Sequence, residues 1–165
     1  MAMALTVVLG TPVPLLLAHT RSRWKGILDA LIDLPVVLPP GVAGLSLLMA
    51  FGRRGLVGGA LQAMGVEVVF TQAAVVMAQT SVASPLYVRA AAIGFAGVEP
   101  ELGQAAAMDG ASRWQVFRHV ILPLSWSALV SGAAMTWARA LGEFGATIVF
   151  AGNFPGRTQT MPLAV

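Results

Sequence analysis

The sequence of 165 residues contains no cysteine, which excludes disulfides and thiolate chemistry and leaves the redox compartment unreadable. Charge is scarce: Asp, Glu, Lys and Arg make up 10% of the chain against 57% hydrophobic residues, and mean hydropathy is +0.79. Soluble domains carry about 25% charged residues, so this composition describes a chain built for apolar surroundings. Lysine occurs once, as Lys25, and no G-x-x-x-x-G-K-[ST] phosphate loop surrounds it, so ATP hydrolysis of that kind is excluded. No Ser-His-Asp or Glu-x-x-His arrangement supports hydrolysis within a membrane, and no catalytic residue is assigned. His19 and His119 lie far apart, each beside arginines; neither a metal site nor a cofactor is expected.

What fills the sequence instead is long uncharged runs. Leu34–Gly52, Val68–Val88 and Val120–Ala138 contain 19, 21 and 19 residues, close to the roughly 20 needed to cross a bilayer as a helix. Met1–Ala18 is a fourth run. It lacks a basic segment before its apolar part and a clear small-residue cleavage site, so it reads as a span kinked at Pro12 and Pro14 rather than a signal peptide. Thr160–Val165 reads as the first turn of a fifth span, and the chain is expected to be a segment of a longer one. The expected class is therefore an all-α, polytopic transmembrane helical bundle, one domain over residues 1–165. The sequence pI is about 10.6, but the ten Lys and Arg are scattered over the connections rather than gathered on one face, which argues against nucleic acid as a partner.

Between the first two runs, RSRWKGILDALIDLP places Trp24, Ile27, Leu28, Leu31 and Ile32 on one helical stripe with Arg23, Lys25, Asp29 and Asp33 mostly off it. It reads either as a helix lying along the membrane surface or as an ordinary span flank. The second run opens with PVVLPPGVAG, where Pro39, Pro40 and Gly41 interrupt the backbone ladder at a depth where water cannot replace lost donors. Such a break is either a kink packed on a neighbour or a broken helix lining a cavity. FGRRGLVGGALQAMGVE is glycine-rich and reads as a short exposed loop or hairpin. Small residues recur at Ala74 and Ala78, and again at Gly132, Ala133, Thr136 and Ala140, the pattern that lets helices approach closely in lipid.

The connection from Glu99 to His119 is different in kind. Glu99-Pro100-Glu101 suits a helix start, because proline fits the first helical position and carboxylates face the positive end of the helix dipole. Gly110 can end that helix in the left-handed region, Ser112 with Gln115 forms a capping box for a second helix, and Trp114, Phe117 and Ile121 share its apolar face. Pro123 marks a bend into the next span. Two short helices joined at a glycine and anchored by spans at both ends make a body that can be pushed. By alternation, Arg21, Arg23, Lys25, Arg89, Arg113 and Arg118 fall on one side of the membrane; Arg53, Arg54 and Arg157 fall on the other, with Arg139 near its edge. The excess places residues 99–119 in the cytoplasm.

At the far end of the last long run, Arg139 and Glu143 are four apart, beside Gly142, Phe144 and Gly145. They read either as an ion pair at a helix end or as part of a gate, since ionisable residues at membrane depth are costly unless they serve a function.

Gln104-Ala105-Ala106, three residues, Gly110, nine residues, then Val120-Ile121-Leu122-Pro123 resembles the cytoplasmic loop of ABC importer permeases, Glu-Ala-Ala, three residues, Gly, nine residues, Ile, one residue, Leu-Pro. Gln104 stands for the family glutamate and Val120 for the isoleucine; Glu101, one turn earlier, is a candidate replacement for the missing charge. ARALGEFGATIVFAGNFPGRTQTMPLAV and LPVVLPPGVAGL are similar to the molybdate branch, related to the sulfate branch, and the similarity covers nearly the whole chain. It implies a type I importer permease whose spans include all but the first and the end of the last. It further implies a multi-pass inner-membrane subunit that works as a pair of copies with cytoplasmic ATP-binding subunits below and an external solute-binding protein. Glu101, Gln104, Ala105, Ala106, Asp109, Gly110, Leu122 and Pro123 would couple to the ATPase. Pro39, Pro40, Gly41, Arg139, Gly142, Glu143, Phe144 and Gly145 are the candidates for pathway or gate. Sulfate or tungstate transport, or a membrane protein that transports nothing, are the alternatives.

Overall fold

The structure is a computed structural model describing residues 1–14 and 25–164. Among these residues every regular element is helical. In chain order they are α1 (Ala2–Gly10), α2 (Lys25–Val37), α3 (Pro40–Phe51), α4 (Gly58–Ala63), α5 (Gln72–Ala96), α6 (Pro100–Met108), α7 (Arg113–Val116), α8 (Trp126–Leu141) and α9 (Gly145–Phe150). A π-helical turn, Phe117–Ile121, and a short piece, Leu122–Leu124, carry α7 toward α8, and a single 3-10 turn covers Met161–Leu163.

The axis of the bundle is the antiparallel pair α5 and α8, against which α1 also packs. Small residues set its closeness. A methyl added at Gly132 would lie 2.5 Å from Ala90 Cβ, and one at Gly94 would lie 2.7 Å from Ala128 Cβ. Two hydrogen bonds fix the register: Ser125 Oγ donates to Gly94 O at 3.1 Å, and Thr136 Oγ1 donates to Ala83 O at 3.4 Å. Tyr87 is buried in the same interface, and its hydroxyl shares a 2.8 Å hydrogen bond with Thr11 Oγ1. The expected small-residue surface on α8 holds, since Gly132, Thr136 and Ala140 are buried and Ala133 is half-buried. Ala74 and Ala78 are likewise fully enclosed, but against α3 and α9, in a cluster with Ala43, Ala146, Phe150 and Ala151.

Much of the buried apolar set is alanine, whereas Val8, Leu9, Ile27, Leu31, Val37, Met49, Ile93, Met135 and Trp137 are exposed. This inverts the arrangement of a soluble protein and suits helices whose solvent is as apolar as their side chains. The segment α2 follows the same rule. Its stripe residues Ile27 and Leu31 face outward, while Asp29 and Asp33 turn toward α5, where Arg89 donates to Asp33 Oδ1 at 2.8 Å, to Asp33 Oδ2, and to Asp29 Oδ1 at 3.2 Å. Arg23, Trp24 and the rest of the connection before α2 lie outside the described residues.

The uncharged runs do not become straight rods. Among the described residues no single helix is long and apolar enough to cross a membrane, although three bent pairs are by length and composition: residues 29–51 with a turn of 117°, 72–108 with 64° and 113–141 with 69°. Leu34–Gly52 divides at Leu38, because Pro40 has no amide proton for the ladder and Pro39 takes an extended ψ of 136° that starts α3 afresh. Val68–Val88 is helical only from Gln72, where the Thr71 side chain accepts from Ala74 N, and the helix continues to Ala96. Arg89 is therefore inside α5 rather than in a connection. Val120–Ala138 divides at Ser125, two residues after Pro123, and a π-helical turn closed by Leu122 N–H to Phe117 O precedes the proline. The glycine-rich loop contains the short helix α4, and within the expected first turn of a further span, Thr160–Val165, residues Met161–Leu163 form a 3-10 turn.

Candidate functional site

The element between α5 and α8 forms as its residues demand. Glu99 occupies the cap position of α6 with Pro100 at its first turn and Glu101 beside it. At the other end Ala111 N–H donates to Ala106 O at 3.0 Å and Gly110 N–H to Ala107 O at 3.1 Å, with Gly110 at φ +89°; this paired closure is the Schellman arrangement that glycine permits. The capping box of α7 is complete: Ser112 N–H donates to Gln115 Oε1 at 2.7 Å, and Gln115 N–H to Ser112 Oγ at 3.4 Å. The Phe117 ring centroid lies 5.6 Å from Trp114 and 6.4 Å from Phe95, seating α7 on the end of α5, although Trp114 itself is largely exposed.

No residue of α6 is buried. Glu101, Gln104, Ala105, Asp109 and Gly110 are exposed, Ala106 is half-buried, and Gly103 faces Val116 of α7. Leu122 is half-buried against the cluster of Tyr87, Ala91, Phe95 and Leu129, and Pro123 is exposed. The result is a helix resting lightly on its neighbour and offering a surface of small and polar side chains. Its base is firm, because Ser125 at the foot of α8 is bonded to Gly94 near the end of α5. The two rods entering the element are thus locked to each other just above it.

The second group of candidates, separated by about a hundred positions in sequence, converges. A methyl at Gly145 would meet Pro40 Cβ at 2.9 Å and Gly41 N at 3.1 Å, and one at Gly44 would meet Ala146 O at 2.7 Å and Ala146 Cα at 2.8 Å. The PPG break that starts α3 and the GEFG turn that starts α9 are therefore stacked backbone to backbone. Glu143 is 1% exposed; its Oε2 accepts from Arg139 Nη1 at 2.6 Å and its Oε1 from Ala146 N–H at 2.8 Å. Arg139 is about one-third exposed, and Pro39, Pro40, Gly41, Gly142 and Phe144 are exposed. Arg139 and Glu143 are one packed unit with the junction.

The sequence reading did not foresee the pairing of Arg89 with Asp29 and Asp33. The signal was present: two aspartates four apart share one face of an otherwise apolar helix, and such a pair in apolar surroundings requires a cation at matching depth.

Comparison with known proteins agrees with these features. The family described as binding-protein-dependent transport system inner membrane component matches residues 10–165. Molybdenum transport system permease protein ModB of Mycobacterium tuberculosis is 47% identical over 98% of the chain, and its Escherichia coli counterpart is 42% identical over 91%. A Chlorella vulgaris protein named "Probable sulfate transport system permease protein cysT" is 40% identical over 82% of the chain. The chain spans 61%, 66% and 52% of the lengths of these three relatives. With its exposed inter-helix element, small-residue interfaces and a match to nearly all of its length, the chain belongs to the family of inner membrane components of binding-protein-dependent transport systems.

Proposed function

We propose that the chain is the permease subunit of an ATP-driven molybdate importer, with α6 as the helix that couples it to a cytoplasmic ATPase subunit. The observation that carries this reading is the exposed α6, presenting Gln104, Ala105 and Asp109 on a body whose two attached rods are bonded at Ser125 and Gly94. Movement of an ATPase cleft holding α6 passes into α5 and α8 together. From α8 the chain enters the GEFG turn directly, and the turn is packed on the PPG break of α3. Displacement at the cytoplasmic end thereby reaches the junction through one short turn, Gly142–Phe144. The permease supplies the path and the lever; ATP is hydrolysed by the partner chain, and a second copy, an external solute-binding protein and the bilayer complete the assembly. In this reading α5, α8 and the bent pair α2–α3 lie in the membrane as parts of a multi-pass subunit, with residues 99–119 on the cytoplasmic side.

The molybdate assignment follows the ModB relatives; the sulfate relative favours sulfate as the second reading. The decisive experiment is disulfide crosslinking from Ala105→Cys or Gly110→Cys to cysteines in the ATPase cleft, with and without nucleotide, paired with uptake of molybdate, tungstate and sulfate. A crosslink whose yield changes with nucleotide, together with molybdate uptake, supports the reading. Residues 99–119 facing the exterior would overturn it, and uptake of sulfate alone would replace molybdate with the second reading.

A further inference from the structure

The Arg139–Glu143 pair lies deep in the bundle. The bonds from Ser125 to Gly94 and from Thr136 to Ala83 set an antiparallel register, and three more residues along it bring Arg139 level with Thr80. That is about 12 Å from the start of α5 at 1.5 Å per residue, a third of the way along a helix of 25 residues. An ion pair held in apolar surroundings is expensive, which makes it a candidate for function.

The pair is also lopsided. Glu143 is 1% exposed and held at both oxygens, by Arg139 Nη1 and by the Ala146 amide. The Arg139 side chain is 34% exposed, and among the described residues its guanidinium makes one hydrogen bond, through Nη1. The Nε and Nη2 donors, which form the side-on fork that matches two oxygens of an oxyanion, make none among those residues. They belong to a partly exposed side chain whose partner Glu143 is flanked in the chain by the exposed Gly142 and Phe144.

We propose that Arg139 is an oxyanion-binding residue of the pathway: its Nε–Nη2 edge receives a tetrahedral dianion in passage while Nη1 stays on Glu143. This deepens the permease reading and rests on it. The role of Glu143 is positioning and attenuation. A lone guanidinium at low dielectric would hold a dianion too firmly to release it, because the attraction between unit charges grows as the dielectric falls. A guanidinium already shared with a fixed carboxylate attracts the dianion locally through two N–H groups, while the pair as a whole is neutral and the carboxylate opposes long residence. Binding must be favourable enough to admit the ion and weak enough to let it go.

The test uses the whole complex of permease, ATPase and loaded binding protein in proteoliposomes. In Arg139→Gln/Glu143→Gln the two side chains can still hydrogen-bond, so a purely structural pair predicts molybdate uptake within twofold of the unaltered protein. The proposal expects uptake to fall at least tenfold, with the nucleotide-dependent crosslink at Ala105→Cys retained; uptake within twofold overturns it. Should the double variant fail to assemble, the unaltered complex decides. Phenylglyoxal modification of the peptide bearing Arg139, read by mass spectrometry during turnover, is expected to decrease several-fold with molybdate or sulfate while exposed Arg157 is unaffected. No protection by either anion, or no modification of Arg139 in any state, overturns the proposal. Absence of the Ala105→Cys crosslink in the otherwise unaltered complex would instead remove the permease reading.

Discussion

The lever at residues 99–119 and the junction where the GEFG turn meets the PPG break are held by opposite means. Every bond that shapes the lever is local: the cap at Ser112, the closure at Gly110, the proline start at Pro100. Its outer face is open. The junction has local bonds too, from Arg139 and the Ala146 amide to the buried Glu143, but its shape depends on two backbones about a hundred positions apart being in contact. Under the proposed function the first is gripped by another protein, which calls for a shape that survives by itself and a surface left free. The second, as part of the proposed pathway, needs complementarity to another segment of its own chain.

The largest expected effect separates the two regions by charge. Arg139→Met leaves Glu143 buried without its cation, and breaking one side of a buried pair costs roughly 3–5 kcal/mol. The purified protein in detergent is expected to show a large drop in thermal stability. Arg139→Met/Glu143→Met removes both charges and should recover most of that loss, although it should not restore uptake. Equal stability of the single and double variants would show that Glu143 is not dependent on Arg139.

A smaller contrast uses one chemical change in both regions. Gly44→Ala places a methyl 2.7 Å from Ala146 O and 2.8 Å from Ala146 Cα, atoms of backbone that cannot swing aside, so it should cost about 2–3 kcal/mol as overpacking does. Gly110→Ala meets nothing within 4 Å, and its cost is the left-handed backbone alone, about 1–2 kcal/mol. Thermal denaturation should rank Gly44→Ala as the more harmful. The reverse order would mean that α3 and α9 can part at no great cost, which would undo the rigid link between lever and junction.

The lever was legible in the sequence because its determinants sit within a few positions of one another. Pro100, Gly110, Ser112 and Gln115 each dictate a backbone state by themselves, and each adopts it. The junction was legible only as two lists of candidates, Pro39 to Gly41 and Arg139 to Gly145. That they stack depends on α3 and α9 both packing against α5 through Ala43, Ala74, Ala78 and Ala146, a tertiary fact that no local pattern carries. The same limit explains the divided runs. Hydropathy counts apolar residues and is blind to direction, so Leu34–Gly52 counts as one run; Pro39, Pro40 and Gly41 mark a break in it, but no local pattern gives the 117° by which the chain turns there. Arg89, assigned to a connection by charge alone, instead lies within α5 and is matched by Asp29 and Asp33 on α2, residues whose partner lies about 60 positions away.

The smallest effect tests whether the lever is as self-sufficient as its local bonds imply. Ser112→Ala removes the oxygen that accepts from Gln115 N–H, and loss of such a cap costs about 1 kcal/mol. If residues 113–116 open independently of the bundle, their amide hydrogen exchange should quicken about fivefold, the factor that corresponds to that energy, while exchange within α5 and α8 and the overall melting temperature barely change. Ser112→Asp keeps an acceptor at the cap and adds a charge suited to the helix start, so it should leave exchange at 113–116 near that of the unaltered protein. Because α7 is seated through Phe117 on Phe95 at the end of α5, the opposite pattern is equally informative. Faster exchange spreading from Ser112→Ala into α5 would mean that the lever borrows its order from the rods, and that the division between a locally formed grip and a tertiary junction does not hold.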